Sequence, residues 1–221
     1  MATQLEINLM KIQTELDIAN KQITNMYARR NYERPQYTPL SYIEGTGAQA
    51  IDTGVVAGPD ITYQIKMYAT AVTGGSIIGV GSEMDGERKS FRFFNYNNTF
   101  YLDYGSGEGY NRIHGGTWNL NTTYDLEVGN RYVKNLTNNS IIISADAVDN
   151  FSFNAATVRI FGDGTSAGRI YYMKIYKGAQ VVCFLIPARR DTDGAIGMFD
   201  LIQQKFHANL SSTPFIAGGV V

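Results

Sequence analysis

Gly168–Gly218 reads GRIYYMKIYKGAQVVCFLIPARRDTDGAIGMFDLIQQKFHANLSSTPFIAG, and the fold follows from parsing it. Tyr171, Met173 and Ile175 fall on one face of an extended segment, Lys177-Gly178-Ala179-Gln180 supplies a turn, and Val181 to Ile186 is an unbroken apolar run. That order describes a hairpin whose second strand is buried on both faces. After the polar, turn-rich link from Pro187 to Gly194, Ala195–Asp200 and Lys205–Ala208 make a second hairpin, with Leu201 to Gln204 between them. Two consecutive apolar hairpins are the core of a β-sandwich.

Working outward, the rest of the chain after residue 40 keeps the period of two that marks strands with one buried face. Tyr63, Ile65 and Met67 alternate with Gln64 and Lys66, and Tyr124, Leu126 and Val128 alternate with Asp125 and Glu127. Further strands are expected at Ser76–Val80, Phe91–Tyr96, Thr99–Tyr104, Arg131–Lys134, Ser140–Ser144 and Thr157–Phe161. Gly74-Gly75, Asn97-Asn98, Asn138-Asn139 and Asp163-Gly164 stand where hairpin turns belong. Roughly a dozen short strands fit an all-β, two-sheet jelly roll.

The succession RIYYMKIYKG, FLIPARR, DGAIGMFDL, KFHAN and FIAG, with YIEGTGAQAIDTG at Tyr42–Gly54, resembles the signature phrases of concanavalin A-like, LamG-type jelly-roll domains of bacteriophage virion proteins and gut-bacterial surface proteins. The resemblance brackets roughly residues 40 to 218. It implies a concanavalin A-like sandwich and the setting of a virion fibre, decoration or receptor-binding protein. Fold relatives include glucanases with an E-x-D-x-x-E strand motif, whose glutamates act as nucleophile and acid/base. The nearest counterpart, Glu15-Leu16-Asp17-Ile18-Ala19-Asn20, lacks the last glutamate and stands in a helical segment.

The 221 residues suit one domain plus an extension. A net charge of −1 offers no basic field, which argues against nucleic acid and anionic membranes as partners. The single cysteine, Cys183, excludes an internal disulfide and sits in an apolar run as a small hydrophobe does. No run approaches the ~18 apolar residues of a membrane helix, and the N-terminus does not read as a signal peptide. A protein made in the host cytoplasm and released in a particle is the expectation.

Residues 2–30 contain neither Gly nor Pro, and Leu5, Leu9, Ile12, Leu16, Ala19, Ile23 and Met26 are spaced alternately by four and three. That is a heptad seam, and a lone helix of this length is marginal in water unless its apolar face is covered. Residues 1–30 are therefore expected to form an α-helix whose seam is covered either by its own sandwich or, as the regular spacing favours, by copies of itself, an oligomerising or anchoring coiled coil through which other virion proteins could also be met. The seam leaves dimer and trimer open; the family resemblance points to a trimer. Residues 31–41, with Pro35 and Pro39, read as a stiff linker to a domain at 42–221.

Gly105–Trp118, GSGEGYNRIHGGTW, is the richest candidate site. Tyr110 and the lone Trp118 stand among Glu108, Asn111, Arg112 and His114, the mixture of stacking ring and polar groups with which proteins hold sugars. Trp118 has a competing reading as core. His114 and His207 are the only histidines, too few for a histidine metal cluster. Calcium, known in LamG-type domains, could find oxygens at Asp163, Asp191 and Asp193, although Asp beside Gly is ordinary turn chemistry. The expectation is a non-enzymatic virion subunit binding host-surface glycans, without a cofactor. A purely structural capsid or head-fibre component and a polysaccharide-degrading enzyme are the alternatives.

Overall fold

The computed structural model describes residues 37–71, 74–82, 89–105, 112–146, 157–161 and 167–221. The seam from Leu5 to Met26, most of the 31–41 stretch, Glu108, Tyr110, Asn111 and the Asp163-Gly164 turn lie outside the described residues.

The alternation in Ile61–Ala69 (β4) is realised without a break: Ile61, Tyr63, Ile65, Met67 and Ala69 are buried and the residues between them half-exposed. It lies between Thr123–Gly129 (β9) and the long strand Ala167–Lys177 (β13). On the far side of β9 come Tyr132–Asn135 (β10) and Ser140–Ser144 (β11); on the far side of β13 come Gln180–Arg190 (β14), Ile196–Asp200 (β15) and Lys205–Ala208 (β16). Tyr37–Pro39 (β1) adds to β14, Ile43–Thr46 (β2) to β13, and Ile216–Ala217 (β17) to β2. The second sheet runs Ile51–Val56 (β3), Thr157–Ile160 (β12), Ser76–Ser82 (β5), Lys89–Tyr96 (β6), Thr99–Gly105 (β7) and Ile113–Thr117 (β8). Every pairing described is antiparallel, and the fold is an all-β sandwich of two sheets with a jelly-roll-like architecture.

Inward residues of both sheets form one core. Tyr63 from the large sheet stacks on Phe91 from the small one, 4.7 Å between centroids. Phe93, Phe100, Trp118 and Tyr124 make an aromatic cluster beside them. Each such ring contributes about 1.5–3 kcal/mol by leaving water. At one seam Ile51 bridges to Asn209 and the Leu210 amide donates to the Ala50 carbonyl at 2.8 Å, joining β3 to the chain after β16. At the other, a Cβ on Gly115 would lie 2.6 Å from Cγ2 of Ile143, so β8 approaches β11 only because it carries glycine there.

The two C-terminal hairpins form as read, with turns at 178–179 and 201–204. Asn97 and Asn98 both take positive φ, 47° and 55°, the backbone that a two-residue hairpin turn requires. Three readings change. Val181–Ile186 is not buried on both faces: Cys183 and Leu185 are buried, Val182 packs against the core at a register shift, and Phe184 and Ile186 are half-covered on the outer side. The outer run stays apolar because neighbours lie over it, Lys174 Nζ standing 4.8 Å from the Phe184 ring. Tyr37–Pro39, inside the stretch read as linker, is a strand on β14, where an extended X-Pro segment and a missing N–H are tolerated at an edge. Ile113–Thr117, read as part of a loop, is β8.

Candidate functional site

Period two on β6 and β7 sends Phe91, Phe93, Phe100 and Leu102 into the core and Arg92, Phe94, Tyr96, Tyr101 and Asp103 to the outer face of the small sheet. Register then assembles a row. Phe94 faces Tyr101, Tyr101 faces His114 of β8, and the three rings stack in sequence, each pair 5.1 Å apart with interplanar angles of 24° and 23°. Tyr96, half-exposed at the β6 turn, sets its edge on Tyr101 at 6.0 Å. Within the row Phe94 is 5% exposed and covered by its neighbours, Tyr101 is half-covered, and His114 and Tyr96 are exposed, so the last three are what this face offers a ligand.

Arg112 anchors one side of the row. Its Nε and Nη2 donate to the two oxygens of Asp103 at 2.6 and 2.9 Å, a bidentate pair whose carboxylate is fully buried while the arginine side chain is 38% exposed. The guanidinium also stands 5.4 Å from the Phe94 centroid and 5.8 Å from that of Tyr101. Arg92 donates from Nε to the buried Ser76 Oγ at 2.7 Å and lies 4.9 Å from the Phe94 ring. Both arginines are thus held in place by side chains of the sheet.

Of the residues singled out in Gly105–Trp118, Arg112 and His114 meet on this face. Trp118 does not: it is 1% exposed, stacked on Tyr124 at 5.0 Å and packed edge-on against Phe100. It belongs to the core, the competing reading of the sequence. Tyr101, Phe94, Tyr96 and Arg92 were missed. Their alternation with core phenylalanines was visible, but which of them become neighbours depends on cross-strand register.

The other chemistry-bearing side chains have structural partners. Asp125 accepts from Tyr172 Oη at 2.8 Å; Glu127 accepts from Tyr132 Oη at 2.8 Å and from Gln64 Nε2 at 3.3 Å; Gln64 in turn accepts from Tyr176 Oη at 3.0 Å. Burial first, and then Glu127, push Tyr132 up to about 12. Burial, followed by the hydrogen bond to Asp125, raises Tyr172 as well. Burial, then the hydrogen bond to Asp200, holds the Cys183 thiol far above its ordinary value, the opposite of what a nucleophile needs. Asp200, fully buried, accepts through Oδ1 from the amides of Phe184, Ile202 and Gln203 and so shapes the β15–β16 turn.

His207 is packed at the β3–β16 seam, with Nδ1 2.8 Å from the Asp52 carbonyl. Asp193 receives both forks of Arg190, at 2.9 and 2.6 Å, and is lowered to about 2 chiefly by that contact; Asp191 accepts from Thr38 Oγ1 at 2.7 Å. Among the described residues, no three His, Cys, Asp or Glu side chains gather as a metal site would require. No helix among the described residues is long and apolar enough to cross a membrane, a statement that leaves β-barrels aside. A rim cleft between Val55, Asp60, Ile61, Lys177 and Val182 encloses about 280 Å³, just under the ~300–1,000 Å³ of common small-molecule pockets. No protein-family model matches this chain, and no curated protein does so either.

Proposed function

We propose that this chain is a non-enzymatic subunit of a bacteriophage particle, a fibre or decoration protein whose sandwich grips glycans on the host surface. The observation that carries the glycan part is the ring row of the small sheet, in which Tyr101, His114 and Tyr96 reach the outer surface beside the covered Phe94. The virion setting rests on the resemblance of Tyr42–Gly54 and Gly168–Gly218 to LamG-type phage domains. The seam Leu5, Leu9, Ile12, Leu16, Ala19, Ile23 and Met26 supplies the oligomer, a trimer in this reading, and the link to other virion proteins.

Several weak sites on one oligomer raise avidity without new contacts, so adhesion would be tested on the intact assembly. A glycan array probed with the full chain is expected to show host-surface polysaccharides bound; no binding at high avidity would reduce the sandwich to a spacer. Removal of residues 1–30 is expected to lower the solution mass to that of a monomer, and an unchanged oligomer would refute the seam.

A further inference from the structure

The rim cleft of about 280 Å³ is lined by parts of both sheets: the end of β3, the loop from Ala57 to Asp60 that leads into β4, the end of β13, Val182 of β14 and the β15–β16 turn. Ala57 and Ile61 belong to the core, and Val55 and Val182 pack against it. The floor of the cleft is therefore an aliphatic end of the core that reaches solvent. Val56, 48% exposed, extends it at the mouth.

Three polar side chains line the same cleft, those of Asp60, Lys177 and Gln203. Lys177 pairs with the core residue Ile61 and shares the parity of the buried Met173 and Ile175, so its side chain leaves β13 on the core side at the strand's end. The backbone around them is fixed. Tyr104 Oη and the Ile61 amide both donate to the Gly58 carbonyl, at 3.3 and 3.2 Å, and the Gly178 amide donates to the Asp60 carbonyl at 2.9 Å. The Gln203 amide donates to the buried Asp200 at 3.2 Å. Among the described residues, no hydrogen bond or ion pair engages the Asp60 carboxylate, the Lys177 ammonium or the Gln203 side-chain amide. All three residues are exposed, and a ligand that takes them up breaks no internal contact.

We infer that this cleft binds an aliphatic zwitterion of the amino-acid class, its side chain on Val55, Ala57, Ile61 and Val182, its ammonium toward Asp60 and its carboxylate toward Lys177. Size sets the upper bound, since the volume falls below the ~300–1,000 Å³ of sites for drug-sized molecules. The floor offers no polar side chain, so a sugar laid on it would leave hydroxyls without partners. An ion of one sign meets one partner and one like charge here, whereas a zwitterion satisfies both, and the mismatch is what discriminates. The inference goes beyond the glycan reading and does not depend on it, because the ring row lies on the outer face of the small sheet.

The test is a saturation-transfer NMR titration of the full chain with L-leucine and three relatives of it. These are 4-methylpentanoate, which lacks the ammonium, isoamylamine, which lacks the carboxylate, and glycine, which keeps both charges without the side chain. Leucine is expected to bind in the millimolar range and at least about tenfold more tightly than each of the three, the effect of one lost charged contact or one lost apolar side chain. Asp60→Asn should abolish the preference for leucine over 4-methylpentanoate and keep that over isoamylamine; Lys177→Gln should do the reverse. Both substitutions are on exposed side chains and should leave the melting temperature unchanged. No binding of leucine in the millimolar range, or any relative binding as tightly as leucine, overturns the proposal on the unaltered chain. Variants that lower both preferences alike overturn it as well.

Discussion

The two outer faces of the sandwich are built from similar residue types and differ in how their polar groups are engaged. On the large sheet, tyrosines and acids close on one another: Tyr172 on Asp125, Tyr132 on Glu127, Gln64 between Glu127 and Tyr176. On the small sheet, rings stack on rings, from the buried Phe94 through Tyr101 to the exposed His114, and arginines frame them. A hydrogen-bonded carboxylate has little left to offer a ligand, whereas the exposed parts of Tyr101, His114 and Tyr96 are not committed to a hydrogen-bonded acid. Aromatic content alone does not distinguish the two faces; the state of the polar groups around the rings does.

The largest expected effect comes where the small face departs from this pattern. Asp103 is fully buried and Arg112 is its bidentate counter-charge. Arg112→Ala leaves that carboxylate buried and uncompensated, a loss of about 3–5 kcal/mol. Urea unfolding is the measurement; a loss below ~1 kcal/mol would mean that Asp103 has other support and that Arg112 serves the surface alone. Next in size is the large face. Tyr172→Phe removes a hydrogen bond to a charged acceptor and should lower stability by about 1.5 kcal/mol, with adhesion to glycans unchanged.

How much of this could be read before the fold was known follows the range of the interactions involved. Both C-terminal hairpins and the strands around Ile65 and Leu126 were legible because alternation and turn residues are local. The apolar hairpins within Gly168–Gly218 pointed to a sandwich for the same reason. The ring row was not, since Phe94, Tyr101 and His114 meet only through the pairing of three strands. Gly105–Trp118 was read by composition, which treats a glycine-rich stretch as a loop; Gly115 instead allows a strand to approach Ile143 at the sheet edge. Trp118 shows the same limit from the other side, since a lone tryptophan suits a core or a sugar site equally until its neighbours Phe100 and Tyr124 are placed.

The third expectation separates the faces by pH. Tyr132 is raised to about 12 from an ordinary value near ~10. A tyrosine whose folded pKa is raised contributes stability that is fully present below about pH 10 and is lost as the pH climbs through about 12. Thermal melting temperature should therefore fall between pH 10 and 12, and Tyr132→Phe should flatten that fall. An unaltered slope would show that the alkaline loss originates elsewhere.

The smallest expected change in stability is the most informative about function. Tyr96 is 52% exposed and touches Tyr101 only by its edge. Tyr96→Ala should leave the unfolding free energy within about 0.5 kcal/mol of the parent, as surface substitutions away from special features do. In the proposed function the same change weakens adhesion, because each oligomer repeats the loss at every site. The pair of measurements places the face: unchanged stability with weakened adhesion marks a ring held out for a ligand, as Tyr172, bound to Asp125, is not. A loss comparable to that of Tyr172→Phe would instead make the ring row a second structural lattice and erase the contrast between the two faces.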